Sequence, residues 1–290
     1  ADESGEHEFS YDEGSPDGPK KWGSLTSEWK SCSDGKSQSP IDIDSKKAKD
    51  QPNDLKKAYN EAPAKLVNEG HYIVVCSLLP NKAHISHVIT YLNYQFTIVI
   101  VIVLNVQWQG DAGGIEVNGS KYKLVQCHWH TPSEHTIDGK RYDAELHFVH
   151  SNDQKQLAVI GVLYKIGESD PFIEKMTESK FKGLDADGSD LGNVTASNTT
   201  SSNKYFRYAG SRTTPPCSEG ITWTVAEKVR TISKDQIKML KGAVDHKFEK
   251  NARPIQKLNG RTVTQFEDNE LRCSFIKINN TERFFTMVFA

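Results

Sequence analysis

The stretch Gln126–His150 reads QCHWHTPSEHTIDGKRYDAELHFVH. Successive side chains of an extended strand point to opposite faces, so Gln126, His128 and His130 share one face while Cys127 and Trp129 take the other. On the second strand-like segment Glu145, His147 and Val149 share a face, opposite Leu146, Phe148 and His150. The Asp138–Arg141 sequence DGKR between them suits a hairpin connection. Two imidazoles at i, i+2 and a third from a neighbouring strand can supply three nitrogen ligands, leaving a fourth position open to water as a catalytic zinc site requires. A ligating imidazole also needs an acceptor for its second N–H. Gln126 precedes His128 by two residues and Glu145 precedes His147 by two, each on its ligand's face. Glu134 is close enough in sequence for an outer position. Imidazoles gathered inside a sheet are costly without a metal, so the pattern predicts Zn2+ on His128, His130 and His147.

Outward from this segment, the chain reads as strand-rich. Lys121–His130, Asp143–His150, Leu157–Ile166 and Gly220–Val229 alternate as strands do. Two helices are predicted. Pro171 stands at the first position of one, after Ser169-Asp170. Ser233 and Gln236 form a capping box for the other, whose Ile237, Leu240 and Val244 share a face. The first 40 residues, rich in Gly, Pro, Ser and charge, read as extended loop pinned by Trp22 and Trp29. Residues 183–204 are polar enough to read as a surface loop. Phe96–Leu104 (FTIVIVIVL) is an apolar β-branched run, too short for the roughly 20 residues of a membrane span. It reads as a buried strand or as an aggregation-prone stretch without charge, Pro or Gly.

The 290 residues suit a single domain, and the formal net charge of −2 provides no basic stripe for nucleic acid or an anionic membrane. A small-molecule partner is expected; composition leaves monomer or dimer open. Five cysteines without a CxxC pair exclude a disulfide-built scaffold and a structural zinc motif. Cys32 and Cys217 lie far apart in Ser/Gly/Pro-rich loops where one crosslink would be tolerated. Sequons at Asn118, Asn193, Asn198 and Asn279 fit passage through a secretory pathway. The acidic, polar start at Ala1 reads as that of a mature chain.

The motifs YDEGSPDGPKKWG, QSPIDID, NEGH, QCHWHTPSEH, AELHFVH, GSRTTPPCSEGITWTV and NARPIQKLNGR, in this order, resemble the α-carbonic anhydrase family, specifically its plant secretory members. The resemblance covers roughly residues 9–73 and 106–270. It implies a single domain over residues 1–271: a mainly β fold of the α+β class, on a large, mostly antiparallel twisted central sheet of about ten strands with short peripheral helices. It also implies reversible zinc-dependent hydration of CO2 to bicarbonate and a proton, by attack of zinc-bound hydroxide. By that resemblance Thr213 is the threonine that orients the hydroxide and donates to a buried glutamate, Glu134. His71 matches the proton-shuttle position, Thr214 and Tyr11 line the substrate pocket, and Val149, Val159 and Trp223 form the apolar wall for CO2. Cys32 and Cys217 match the disulfide of extracellular members. The resemblance implies a secreted protein, or one in a compartment reached by that route, such as the chloroplast.

Three features depart from the family pattern. Residues 74–105 have no counterpart and divide what reads as one strand after His71. Arg212 replaces an apolar residue at the mouth of the CO2 pocket. The tail, residues 272–290, leaves the pattern. Two alternatives compete with the enzyme reading. Relatives of this fold serve as storage or binding proteins without zinc, although no ligand histidine is lost here. His128-x-His130-x3-Glu134 imitates a cupin metal motif, but its second motif is missing, as is the HExxH of zincins.

Overall fold

The computed structural model describes residues 9–68, 104–176, 188–244 and 246–267. Sixteen strands are present among them. The short early strands are β1 (Asp42–Ile43), β2 (Lys49–Asp50) and β3 (Lys56–Tyr59). They are followed by β4 (Ala62–Asn68), β5 (Leu104–Trp108), β6 (Gly113–Val117) and β7 (Ser120–His130). Next come β8 (Thr136–Ile137), β9 (Lys140–Arg141), β10 (Ala144–Ser151) and β11 (Leu157–Ile166). The last are β12 (Ser189–Val194), β13 (Lys204–Ser211), β14 (Glu219–Ala226), β15 (Arg230–Ile232) and β16 (Thr264–Glu267).

Thirteen strands make one sheet, ten of them along a continuous path in the order β12-β4-β5-β7-β10-β11-β14-β13-β16-β2. The predicted mainly β class with a large central sheet holds. Most pairs are antiparallel; β14 and β15 run parallel to β11, and β2 parallel to β16. Between β7 and β10 the chain forms the hairpin β8–β9. Asp138 and Gly139 both take positive φ there (51° and 75°), the geometry of the two-residue turn that Asp-Gly favours.

Three expectations are corrected. Ser189–Val194, inside the stretch read as loop, pairs antiparallel with β4. Its polar side chains hide the strand, because only Val194 is buried. The strand read over Gly220–Val229 is β14, which ends at Ala226, before β15 starts at Arg230. The N-terminal segment contains helical turns at Trp22–Leu25, Ser27–Trp29 and Ser31–Asp34, with Trp22 and Trp29 fully buried. Both predicted helices form: Asp170 caps Pro171–Glu174, and the Ser233–Gln236 capping box opens Lys234–Gly242. Leu240 of the latter is buried, with Ile237 and Val244 packed on the core. Of residues 74–105 only Leu104 and Asn105 are described, both in β5; His71, the rest of Phe96–Leu104, Asn279 and the tail lie outside the described residues.

The sheet carries different cores on its two faces. Cys127, Trp129, Leu146, Phe148 and Ile160 pack on one; Val159, Phe206, Tyr208, Trp223 and Val225 on the other. Strand β7 supplies both faces through a β-bulge. The register with β10 passes from Val149↔Gln126 to His150↔Leu124, leaving Val125 as the extra residue, 45% exposed. Leu124 therefore faces the same core as Cys127 and Trp129, and the alternation restarts at Gln126.

His150 is sealed in the first core, where its Nδ1–H donates to the Ala158 carbonyl and Nε2 accepts from the Tyr59 hydroxyl. Burial lowers its pKa from 6.5 to about 4. The unfolded chain therefore binds this proton first as pH falls. Stability from the neutral ring is complete above pH 6.5 and is lost toward pH 4, an effect of about 3 kcal/mol. His150→Gln should flatten this acid limb in urea titrations between pH 7 and 4.5; an unchanged slope would refute the assignment.

Candidate metal centre

Register places the three histidines together. In the antiparallel pair β7–β10, His147 stands opposite His128, and Glu145 opposite His130. The ring centroids lie 5.2 Å (His128–His130), 5.2 Å (His128–His147) and 4.6 Å (His130–His147) apart. Each imidazole has one nitrogen spoken for. His128 Nδ1–H donates to Gln126 Oε1 (2.9 Å), His130 Nδ1–H to the Asn251 carbonyl (2.7 Å), and His147 Nε2–H to Glu145 Oε1 (2.8 Å). That leaves Nε2 of His128 and His130 and Nδ1 of His147 as free acceptors. The three side chains can present ligand atoms within 4.8 Å of one another.

His130 Nε2 is buried with no hydrogen-bond partner. An orphaned buried acceptor is costly, and a cation between the three rings removes that cost. Burial, together with charge from the neighbouring rings, holds His128 well below its ordinary pKa; burial also lowers His130 and His147. Neutral rings are the form that ligates. Three neutral nitrogens with fixed tautomers fit zinc.

Around the ligands lies a second, fully buried set. Burial would raise Glu145, but His135 and His147 outweigh it and hold the carboxylate well below its usual range. Glu145 accepts from the backbone N–H groups of Glu134 and His135 and from His135 Nδ1. His135 Nε2 in turn meets the Tyr208 hydroxyl at 2.6 Å, and Tyr208 donates to Ser39 Oγ. His135, Glu145 and His147 thus satisfy one another as a hydrogen-bonded network. Glu134 is fully buried, and burial raises its pKa to about 7 against the opposing influence of His147, the Arg253 N–H and the Thr213 hydroxyl.

Val149, Val159 and Trp223 form one cross-strand row over β10, β11 and β14, with Trp223 Nε1–H fixed on the Ser211 carbonyl. Thr213 is buried, Thr214 half-buried and Arg212 exposed, in the turn after β13. Tyr11 packs edge-on against Phe9, Trp22 and Phe248; burial raises its pKa well above the ordinary phenol value, and the charge of Glu134 adds to this. Cys32 and Cys217 form a disulfide. Asn118, Asn193 and Asn198 are exposed.

Gly161 lies opposite His147, and a Cβ there would stand 2.9 Å from Glu145 Oε1. Gly161→Ala should push this carboxylate off His147 and weaken zinc affinity about 10- to 100-fold, as measured by competition with a chelator. Wild-type affinity would show that Glu145 does not orient the ring.

Asn251, Arg253 and His135 were not assigned from sequence. Asn251 lies 121 positions from His130 and Arg253 119 positions from Glu134, beyond any local pattern. His135 sits within the quoted motif, where a third buried histidine beside Glu134 was the available signal.

The chain matches the family model of eukaryotic-type carbonic anhydrase over residues 17–267. It is 38% identical to alpha carbonic anhydrase 4 of Arabidopsis thaliana, over 90% of this chain and 86% of that one. It is 35% identical to dioscorin dioA3 of Dioscorea japonica, over 90% and 87%. Among solved structures, a dioscorin complexed with ascorbate superposes with a TM-score of 0.75 at 34% identity, covering 91% of this chain and 100% of that one. A hyperthermostable carbonic anhydrase from a hydrothermal vent chimney superposes at 0.68 and 32% identity, covering 89% and 100%.

Proposed function

We propose, from the premise that the chain belongs to the eukaryotic-type carbonic anhydrase family, that it hydrates CO2 reversibly to bicarbonate and a proton with zinc on His128, His130 and His147. The observation carrying this reading is the convergence of three free imidazole nitrogens whose opposite nitrogens are all tied down. When bound, zinc lowers the pKa of a coordinated water to about 7, which provides a nucleophile at neutral pH.

The chain's own residues do the rest. Gln126, Glu145 and the Asn251 carbonyl hold the three rings in the required tautomers. Val149, Val159 and Trp223 give an apolar, linear substrate a dry surface to lie on. Thr213, beside the buried Glu134, orients the attacking oxygen toward the substrate carbon. The proton released in forming the new C–O bond leaves through His71, whose imidazole suits transfer near neutral pH. Water and CO2 enter, bicarbonate and a proton leave, and no electrons are exchanged. Arg212 at the pocket mouth reduces turnover relative to family members with an apolar residue there. The disulfide and the exposed sequons support a secreted protein, and no helix among the described residues is long and apolar enough to cross a membrane.

Stopped-flow CO2 hydration with zinc quantitation tests the reading. Activity should track zinc content and vanish on chelation. A zinc-loaded chain that hydrates no CO2 would favour a catalytically silent binding protein.

A further inference from the structure

The segment Asn251–Arg253 belongs to no strand or helix, yet it touches the centre twice. The Asn251 carbonyl accepts from His130, and two residues later the Arg253 N–H donates to Glu134 Oε1 at 2.9 Å. The Asn251 half is clamped independently, because its side chain accepts from Thr131 N–H and donates to the Trp129 carbonyl. The Arg253 half has a different anchor. Its guanidinium, on a residue 1% exposed, donates from Nη1 to Gln38 Oε1 (2.9 Å) and the Ser39 carbonyl (2.8 Å). Nη2 donates to the Cys32 carbonyl (3.0 Å), and the group lies over the Trp22 ring. Gln38 in turn donates to the Cys217 carbonyl. Cys217 N–H donates to the Thr214 carbonyl and closes the turn that directly follows Thr213.

A planar fork held at three acceptors has little freedom. It therefore fixes where its own backbone N–H points, and that N–H donates to the carboxylate that interacts with the Thr213 hydroxyl. We infer that Arg253 is a positioning residue for the hydration step: its guanidinium, braced by Gln38, sets the Glu134–Thr213 alignment without touching substrate. The inference rests on the functional reading above. A merely structural arginine would affect stability and the amount of folded protein. A positioning one must act through Thr213.

A double-mutant cycle separates the two. Arg253→Lys keeps the backbone N–H and the charge but loses the fork. Zinc content should stay at the wild-type level, KM should be unchanged, and kcat/KM per zinc should fall about tenfold. In a Thr213→Val background the same replacement should change kcat/KM less than about twofold, because the hydroxyl through which it acts is already gone. Effects that simply multiply would overturn the inference, as would a loss confined to folded fraction. Should Arg253→Lys not fold, Gln38→Met removes one brace and must show the same coupling. A zinc-loaded wild type without activity would instead overturn the functional reading, and this inference with it; that result is visible before any variant is made.

Discussion

His130→Ala should leave a protein that loses its zinc on dialysis and hydrates CO2 at below about one-hundredth of the wild-type rate, since even losing an orienting partner costs 10- to 100-fold and a ligand costs more. The choice of ligand follows from burial. His128 is partly buried, whereas His130 is 1% exposed and carries the orphaned nitrogen. Removing it also leaves the Asn251 carbonyl without its donor, a penalty of about 1–3 kcal/mol. Thermal unfolding of the metal-free proteins should therefore accompany the assay. Full activity with retained zinc would remove the three-histidine centre from consideration.

The second large effect concerns the disulfide. Cys32 and Cys217 are 185 positions apart, and in the chain-entropy model closing so long a loop stabilises the fold by about 5 kcal/mol. The double replacement by serine should reduce unfolding free energy in urea by roughly that amount, a large share of the 5–15 kcal/mol typical of a domain. The same bond ties the aromatic cluster of Phe9, Trp22, Trp29 and Phe248 to the turn that carries Thr213. Activity should therefore fail at lower urea in the variant than in the wild type. A loss under about 1 kcal/mol would mean that the unfolded chain is already compact enough to make the crosslink redundant.

How legible was this molecule before its structure? The histidines were readable because ligand chemistry and strand alternation coincide over a few residues. Gln126 and Glu145 followed from the same alternation. The helices were readable from their caps, since a capping signal is local. Strand β12 was not, because an edge strand with polar side chains on most positions looks like a loop. The N-terminal helical turns were hidden by Gly and Pro, which suit short turns as well as coils. Asn251 and Arg253 were out of reach for another reason: their contacts with the centre are made by a backbone carbonyl and a backbone N–H, which nearly every residue carries, so composition leaves no trace of them. Thr213 and its pocket entered only through family resemblance.

The bulge at Val125 has a consequence for how this chain can change over time. Across the bulge the even-numbered residues of β7 change face, Tyr122 and Leu124 turning to the core and Gln126, His128 and His130 to the metal, and one unpaired residue sets the two halves out of phase. Val125 is largely exposed, so its identity is nearly free. Its presence is nearly free as well. Without that position Leu124 and Gln126 would be direct neighbours, still opposite His150 and Val149, and every side chain would keep its present face. The chain can therefore drift in letters here or shorten by this one residue, whereas a one-residue change elsewhere between Tyr122 and His130 would turn part of the strand to the wrong side.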